Sequence, residues 1–142
     1  MIQVQTPRGS VIKTANGQTS LVWAPGFGPT WSGQYSRAQM FVDSEILRLC
    51  DPLIPLQTSM LKKSGTLGTV IGSGEVSWIA PYARYQYYGK LMIGPAPKTL
   101  TDIDLKYHSG EAQRGAFWFE RMKAASGAAI IAGARNIAGG GI

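Results

Sequence analysis

Apolar residues along the chain follow two rhythms, one after the other. Ile2 and Val4 alternate with polar neighbours, Pro7-Arg8-Gly9 reads as a turn, and Ser10 to Thr14 resumes a short strand. Asn16-Gly17 follows, a pair that tolerates the positive φ of a type I′ turn and so predicts a hairpin. Its return strand is Thr19 to Ala24, with Leu21 and Trp23 on one face, ended by Pro25, Gly26, Gly28 and Pro29. The step then lengthens to three and four residues. Tyr35, Ala38, Val42, Ile46 and Leu49 make one stripe of an amphipathic helix. Thr30 or Ser32 can cap its start, Arg37, Asp43, Glu45 and Arg48 spread around its remaining faces, and Asp51-Pro52 stops it.

The second half is less regular. Leu53 to Ser64 reads as a connector, and Leu67 to Ile71 and Glu75 to Ala80 flank Gly72-Ser73-Gly74 as a second hairpin, with Val76 and Trp78 on one face. Ile79 to Gly89 follows, as a further strand or a short helical turn. Lys90 to Gly115 predicts a long irregular loop, of a length that is usually functional or ordered by partners. A second helix is expected from about Gln113 to Ala134, striped by Trp118, Met122, Ala125 and Ala129, with Phe117 and Phe119 making its first turn aromatic. Its later part is small (Ala128, Ala129, Ala132, Gly133, Ala134), which permits close approach to a neighbour or reflects alanine helix propensity. The fold class is therefore α+β: a small antiparallel β-sheet of hairpins packed with two main helices, plus a long irregular loop. Residues 1–29 form an N-terminal hairpin arm, 30–138 an α+β domain, and 139–142 a flexible end.

Composition narrows the function. Apolar residues make 44% of the 142, enough for a core, while charged residues make 15%, against about 25% in an average domain. Sparse charge with 18 glycines and 8 prolines suggests many turns and surfaces covered by neighbouring subunits. The net charge of +6 admits nucleic acid as a partner, but the cations are scattered; only Lys62-Lys63 and the set Arg114, Arg121 and Lys123 are local groups. A solvated basic surface, or acidic protein partners, fits such a distribution. No charged-then-apolar leader and no apolar span long enough for a bilayer is present, so a soluble protein made in a cytoplasm is expected.

Material for catalysis is thin. His108 is the single histidine and reads as a surface or turn residue. Cys50, the single cysteine, lies among Leu47, Leu49 and Leu53 and reads as a small buried hydrophobe. Asp102 and Asp104 lack the dense ligand set of a calcium loop. Gly65-Thr66-Leu67-Gly68 and Gly72-Ser73-Gly74 match neither a dinucleotide fingerprint nor a phosphate loop. No enzyme class, metal or cofactor is expected. What stands out is Ile79-Ala80-Pro81-Tyr82-Ala83-Arg84-Tyr85-Gln86-Tyr87-Tyr88-Gly89, four tyrosines and an arginine in eleven residues. Such rings suit burial against another protein, and filling the chain's own core is the competing reading for any one of them.

The order of a helix, Ile54-Pro55-Leu56-Gln57-Thr58-Ser59-Met60-Leu61-Lys62-Lys63-Ser64, a glycine-rich hairpin, and Ala80-Pro81-Tyr82-Ala83-Arg84-Tyr85 through Tyr88-Gly89 resembles phage minor capsid proteins. These are akin to the neck or tail-completion proteins of long-tailed bacteriophages. Gly89-Lys90-Leu91-Met92 and Gly115-Ala116-Phe117-Trp118-Phe119-Glu120-Arg121-Met122-Lys123 are similar to clostridial-type phage members, so the resemblance covers about residues 30 to 125. Ser59 departs from it, standing where the family usually has a turn glycine, and the loop from Leu91 to Gly110 is short. The resemblance implies a virion protein, made in a bacterial host, that forms a ring between connector and tail. Its partners would be other copies of itself, the connector or stopper, and the tail tube or tail terminator, with DNA only passing through the channel and no membrane. Partner contact is then expected at Tyr82, Arg84, Tyr85, Tyr87, Tyr88, Trp118 and Phe119, and structural turns at Pro55, Ser59, Pro81 and Gly89. The alternatives are a basic nucleic-acid-binding module, stacking bases on rings beside Arg84 and Lys90, and a minor protein decorating the capsid.

Overall fold

The computed structural model describes residues 2–56, 59–107 and 112–139. The arm hairpin pairs β1 (Ser10–Thr14) antiparallel with β2 (Gly17–Leu21), with Ser10 opposite Leu21 and Thr14 opposite Gly17. The turn is thus Ala15-Asn16, one residue ahead of the predicted Asn16-Gly17. Neither turn residue takes positive φ, and the Thr14 hydroxyl donates to the Gly17 carbonyl at 3.1 Å, fixing the register from the strand end.

Helix α1 spans Phe27–Cys50, starting earlier than the sequence suggests. Gly26 is its N-cap, and Pro29 is accommodated in the first turn, where a missing N–H leaves no helical bond unmade. Ser32, expected as a cap, instead accepts the Val4 N–H at 2.8 Å and ties the N-terminal segment to the helix flank. A 3₁₀ turn over Asp51–Leu53 follows the last turn of α1.

The expected connector and second hairpin fold differently. Met60–Gly68 is a helix, α2. Its glycines, poor helix formers on their own, give room to the extended 77–79 segment. A Cβ on Gly65 would lie 2.5 Å from Trp78 Nε1, and one on Gly68 would lie 2.7 Å from the Ser77 carbonyl oxygen. Residues 69–80 form no ladder, because the loop tip bonds to α1 instead. Gly72 and Gly74 donate their N–H groups to Asp43 Oδ2 at 2.8 and 3.1 Å, and Gln39 Nε2 donates to Oδ1 at 2.8 Å. Asp43, expected on an outer helix face, is 1% exposed, and these three donors make its burial tolerable.

Helix α3 (Ala83–Tyr88) carries the tyrosines, and β3 (Lys90–Ile93) pairs antiparallel with β4 (Thr99–Asp104), Met92 opposite Leu100. The irregular loop expected over residues 90–115 is thus half occupied by a second hairpin. The Leu105 N–H donates to the carbonyl of Gly89, at the end of α3, at 2.9 Å, and the Thr101 hydroxyl donates across the hairpin to the Leu91 carbonyl of β3 at 2.6 Å. Helix α4 spans Trp118–Ala138. It buries Trp118, Met122 and Ile130, while Ala125 and Ala129 of the predicted stripe are exposed. Its small residues bring it onto α1: a Cβ on Gly133 would lie 2.6 Å from Cζ of Phe41. The neighbour those small residues admit is in the same chain.

Cys50, Ile54, Leu61, Ala83, Trp118, Met122 and Ile130 form the core, so α1, α2, α3 and α4 all meet at one centre. Among the described residues the architecture is mixed α+β, four α-helices with two antiparallel two-stranded hairpins. Among the described residues no helix is long and apolar enough to cross a membrane. Gly139 closes α4 with its N–H on the Arg135 carbonyl; the rest of the glycine-rich end, 140–142, lies outside the described residues.

Candidate functional site

The tyrosine segment is shaped by its turns. Ala80 to Ala83 close a β-turn, the Ala83 N–H donating to the Ala80 carbonyl at 2.9 Å, with Pro81 at its second position and Tyr82 at φ −96°, ψ 3°. That is type I geometry, for which proline's fixed φ is pre-set. One and a half helical turns later, Gly89 at φ 69° ends α3, its N–H on the Tyr85 carbonyl at 2.9 Å. A side chain there is doubly disfavoured, since a Cβ would also crowd the Tyr107 hydroxyl at 3.1 Å. The Tyr107 hydroxyl in turn donates to the Gln86 carbonyl at 2.6 Å. Pro55 follows the buried Ile54 on the way to Ser59, while Gln57 and Thr58 of this motif lie outside the described residues.

So short a helix presents its tyrosines in different directions. The Tyr87 ring stands edge-on to Trp118 at 4.8 Å and to Phe117 at 5.4 Å, and Trp118 meets Trp78 at 5.8 Å. Trp118 is 1% exposed and is therefore core; whatever it does for a partner it does through the rings packed on it. Tyr82, Tyr85, Tyr87 and Phe119 are half-buried, Arg84 is exposed, and Tyr88 is 49% exposed. Burial pushes the Tyr87 phenol above its ordinary value, helped by the Glu120 carboxylate; burial, then Tyr82, does the same to Tyr85. These hydroxyls stay protonated hydrogen-bonding groups throughout the physiological range.

The junction of α3 and α4 is locked by unusual backbone. Phe117, the N-cap of α4, holds φ 53°, and Ser59, the N-cap of α2, holds φ 62°. These are the non-glycine residues in left-handed geometry among the described residues. The Phe117 N–H donates to the Tyr87 carbonyl at 2.8 Å, and the Arg121 guanidinium donates to the carbonyls of Ala116 and Gln113 at 2.9 and 2.7 Å.

Two concavities flank α3. An open cleft of about 550 Å³ has Arg84, Tyr87, Tyr88, Trp118 and Phe119 on one side. Val42 and Ile46 of α1 and Val76 and Trp78 line the other. The Trp118 indole N–H has no acceptor among the described residues. On the other side of α3, a pocket of about 310 Å³ has Arg84, Tyr85 and Tyr88 facing Met92, Leu100 and Lys98 of the β3–β4 hairpin, with the Lys98 ammonium 5.9 Å from the Tyr85 ring centre. Five of the seven predicted contact residues line the cleft and three line the pocket, Arg84 and Tyr88 being common to both; Tyr82 lines neither and instead packs against the core and Tyr85. Val42, Ile46 and Lys98 carried no local signal of a site. The first two read as ordinary helix stripe and the third lies in a proline-rich stretch.

Other candidates are absorbed by structure. Cys50 is wholly buried, and its thiol is pushed up to about 12 by desolvation. Arg114 Nη1 donates to the carbonyls of Asp51 and Ile54, both at 2.9 Å, and Lys62 pairs with Asp51 at 2.8 Å, so the local basic groups tie the end of α1. Asp104 pairs with Lys90, whose ammonium is raised above its ordinary value by that bond. Among the described residues no cluster of three or more His, Cys, Asp or Glu can hold a metal, and His108 lies outside them. No protein-family model matches this chain, and neither a curated protein nor a solved structure resembles it to a meaningful degree.

Proposed function

We propose that this chain is a structural protein of the phage head–tail junction, acting by assembly into a ring between connector and tail. The observation that carries the reading is the open aromatic cleft at the α3–α4 junction, mostly apolar and rimmed by the exposed Tyr88 and Arg84. Tyrosine and arginine over an apolar floor are the side chains enriched where proteins bury against one another. The resemblance of residues 30–125 to minor capsid proteins supplies the setting. Tyr88 and Arg84 are the right residues to test, because Tyr87 and Trp118 also hold the core. Phage carrying Tyr88→Ser with Arg84→Glu should accumulate tailless heads or free tails while the purified variant keeps its thermal midpoint. Complete, infectious particles from that variant would overturn the interface role.

A second reading has one observation in its favour: the pocket where Arg84 and Lys98 flank Tyr85 and Tyr88, a cationic and aromatic lining of the kind that stacks single-stranded bases. Binding through phosphates weakens steeply as salt rises. Titration of a labelled oligonucleotide at low and high salt decides it; no binding at low salt removes it.

A further inference from the structure

Arg84 and Tyr88 line both concavities, so the cleft and the pocket form one surface around α3. Its free charge has one sign. Arg84 and Lys98 are exposed, and neither pairs with a carboxylate among the described residues. The carboxylate that lines the cleft, Asp43, is 1% exposed and already takes three donors. Other cations of the body are engaged: Arg48 with Glu45, Lys62 with Asp51, Lys90 with Asp104, and Arg114 and Arg121 with carbonyls. Two like charges lining one pocket of about 310 Å³ repel each other, and an anion placed there relieves both.

The rest of the surface indicates what carries the anion. Nucleic acid needs cations in a track for successive phosphates, and this surface offers two. The wall of the cleft opposite α3 holds Val42, Ile46 and Val76, aliphatic side chains with no flat face for a base. A carboxylate with an apolar side chain beside it, as a protein segment carries, matches both halves. The chain's own exposed arm does not supply one, since residues 1–42 contain no Asp or Glu. A second copy brings a net charge of +6 toward the same unpaired cations, which opposes contact at this face, whereas an acidic protein is attracted to it.

We infer that this surface receives an acidic segment of a different protein, an Asp or Glu entering the pocket lined by Arg84 and Lys98 and a neighbouring aliphatic or aromatic side chain entering the cleft. The inference rests on the reading that this chain works by assembly with protein partners, and it names the partner's chemistry at one face. The probe is a yeast-displayed library of random short peptides, panned against the full-length chain. Selected peptides should be enriched at least about threefold over the input in Asp or Glu adjacent to Leu, Ile, Phe or Tyr. Arg84→Glu with Lys98→Glu should keep the thermal midpoint, bind those peptides at least about tenfold more weakly, and select Lys- or Arg-bearing ones instead. Arg8→Glu with Lys13→Glu makes the same change in net charge on the arm and should bind the selected peptides within about twofold of wild type at physiological salt. Peptides without an acidic preference, or weakened equally by the arm variant, overturn the acidic occupant. So does an oligothymidine that binds more tightly than any peptide and is lost with Arg84→Glu and Lys98→Glu, which assigns the pocket to nucleic acid. Wild-type oligomers that the same two substitutions dissociate also overturn it and assign the face to the next copy. In each of these cases a block to tail joining by Tyr88→Ser with Arg84→Glu leaves the assembly reading standing, and complete particles from that variant overturn both.

Discussion

The arm hairpin and the α3–α4 junction are both rich in large apolar side chains, and they use them in opposite ways. At the junction Trp118, Tyr87, Phe117 and Trp78 stack edge to face, and the tryptophan at their centre is 1% exposed. On the arm Val22 is 80% exposed, and the strands touch mainly one another. The fold's stability therefore lies in the junction and the α1–α4 seam, and the arm contributes little to it. Apolar residues retained where they stabilise nothing in the single chain are the ones available to a partner.

The largest test of this division replaces one residue on each side. Trp118→Ala empties the centre of the core and should cost about 3–5 kcal/mol, enough to unfold a marginal domain. Val22→Ser should stay within about 0.5 kcal/mol. Urea unfolding followed by circular dichroism reads both; comparable losses would mean that the arm packs on the body.

Alkali offers a second division, since the groups raised by burial all lie in the body. Cys50 goes from 9.0 to about 12, and Tyr85, Tyr87 and Tyr107 also rise, each first through desolvation. A raised folded pKa means the folded chain holds its proton more tightly. The contribution is complete below the ordinary value and is lost as pH climbs from there through the folded one. The urea midpoint should hold at neutral pH and fall between about pH 9 and pH 12, and Cys50 should react with an alkylating reagent only on unfolding. A flat midpoint across that range would contradict the burial of these groups. Next in size is Gly68→Ala, whose Cβ would meet the Ser77 carbonyl at 2.7 Å and Ile79 Cγ2 at 2.5 Å. A loss of about 1–3 kcal/mol is expected, whereas a loop glycine would tolerate the change.

How much of this was legible in the sequence depended on the range of the interactions that decide it. The arm hairpin and α1 were readable because alternation and a three-to-four stripe are local signals, although the turn falls one residue ahead of Asn16-Gly17 and without its positive φ. Helix α2 was not, since Gly65 and Gly68 look like breakers until the 77–79 segment is laid across them. The β3–β4 hairpin was hidden by Gly94-Pro95-Ala96-Pro97, which reads as loop, and by a pairing that depends on bonds to the end of α3. The aromatic site was legible as composition. Which ring is floor and which is rim was not, because the packing of α3 and α4 on the shared core decides that Trp118 is buried and Tyr88 exposed.

Ser59 gives the smallest expected effect and the finest test of the body. It caps α2 at φ 62° with no side-chain hydrogen bond, so the hydroxyl offers no compensation for left-handed backbone. Glycine takes that conformation without the clash of a Cβ, although it loses more entropy on folding. The balance favours Ser59→Gly by about 0.5–1 kcal/mol, since the strain of a non-glycine residue there is of order 1 kcal/mol or more. The gain should appear as a raised urea midpoint with an unchanged slope. Because Ser59 lies at the start of α2 and lines neither the α3–α4 cleft nor the pocket beside the β3–β4 hairpin, self-association should be unaltered. A gain in stability that also shifted self-association would tie α2 to the assembly surface and blur the division between a body that folds and an arm left exposed.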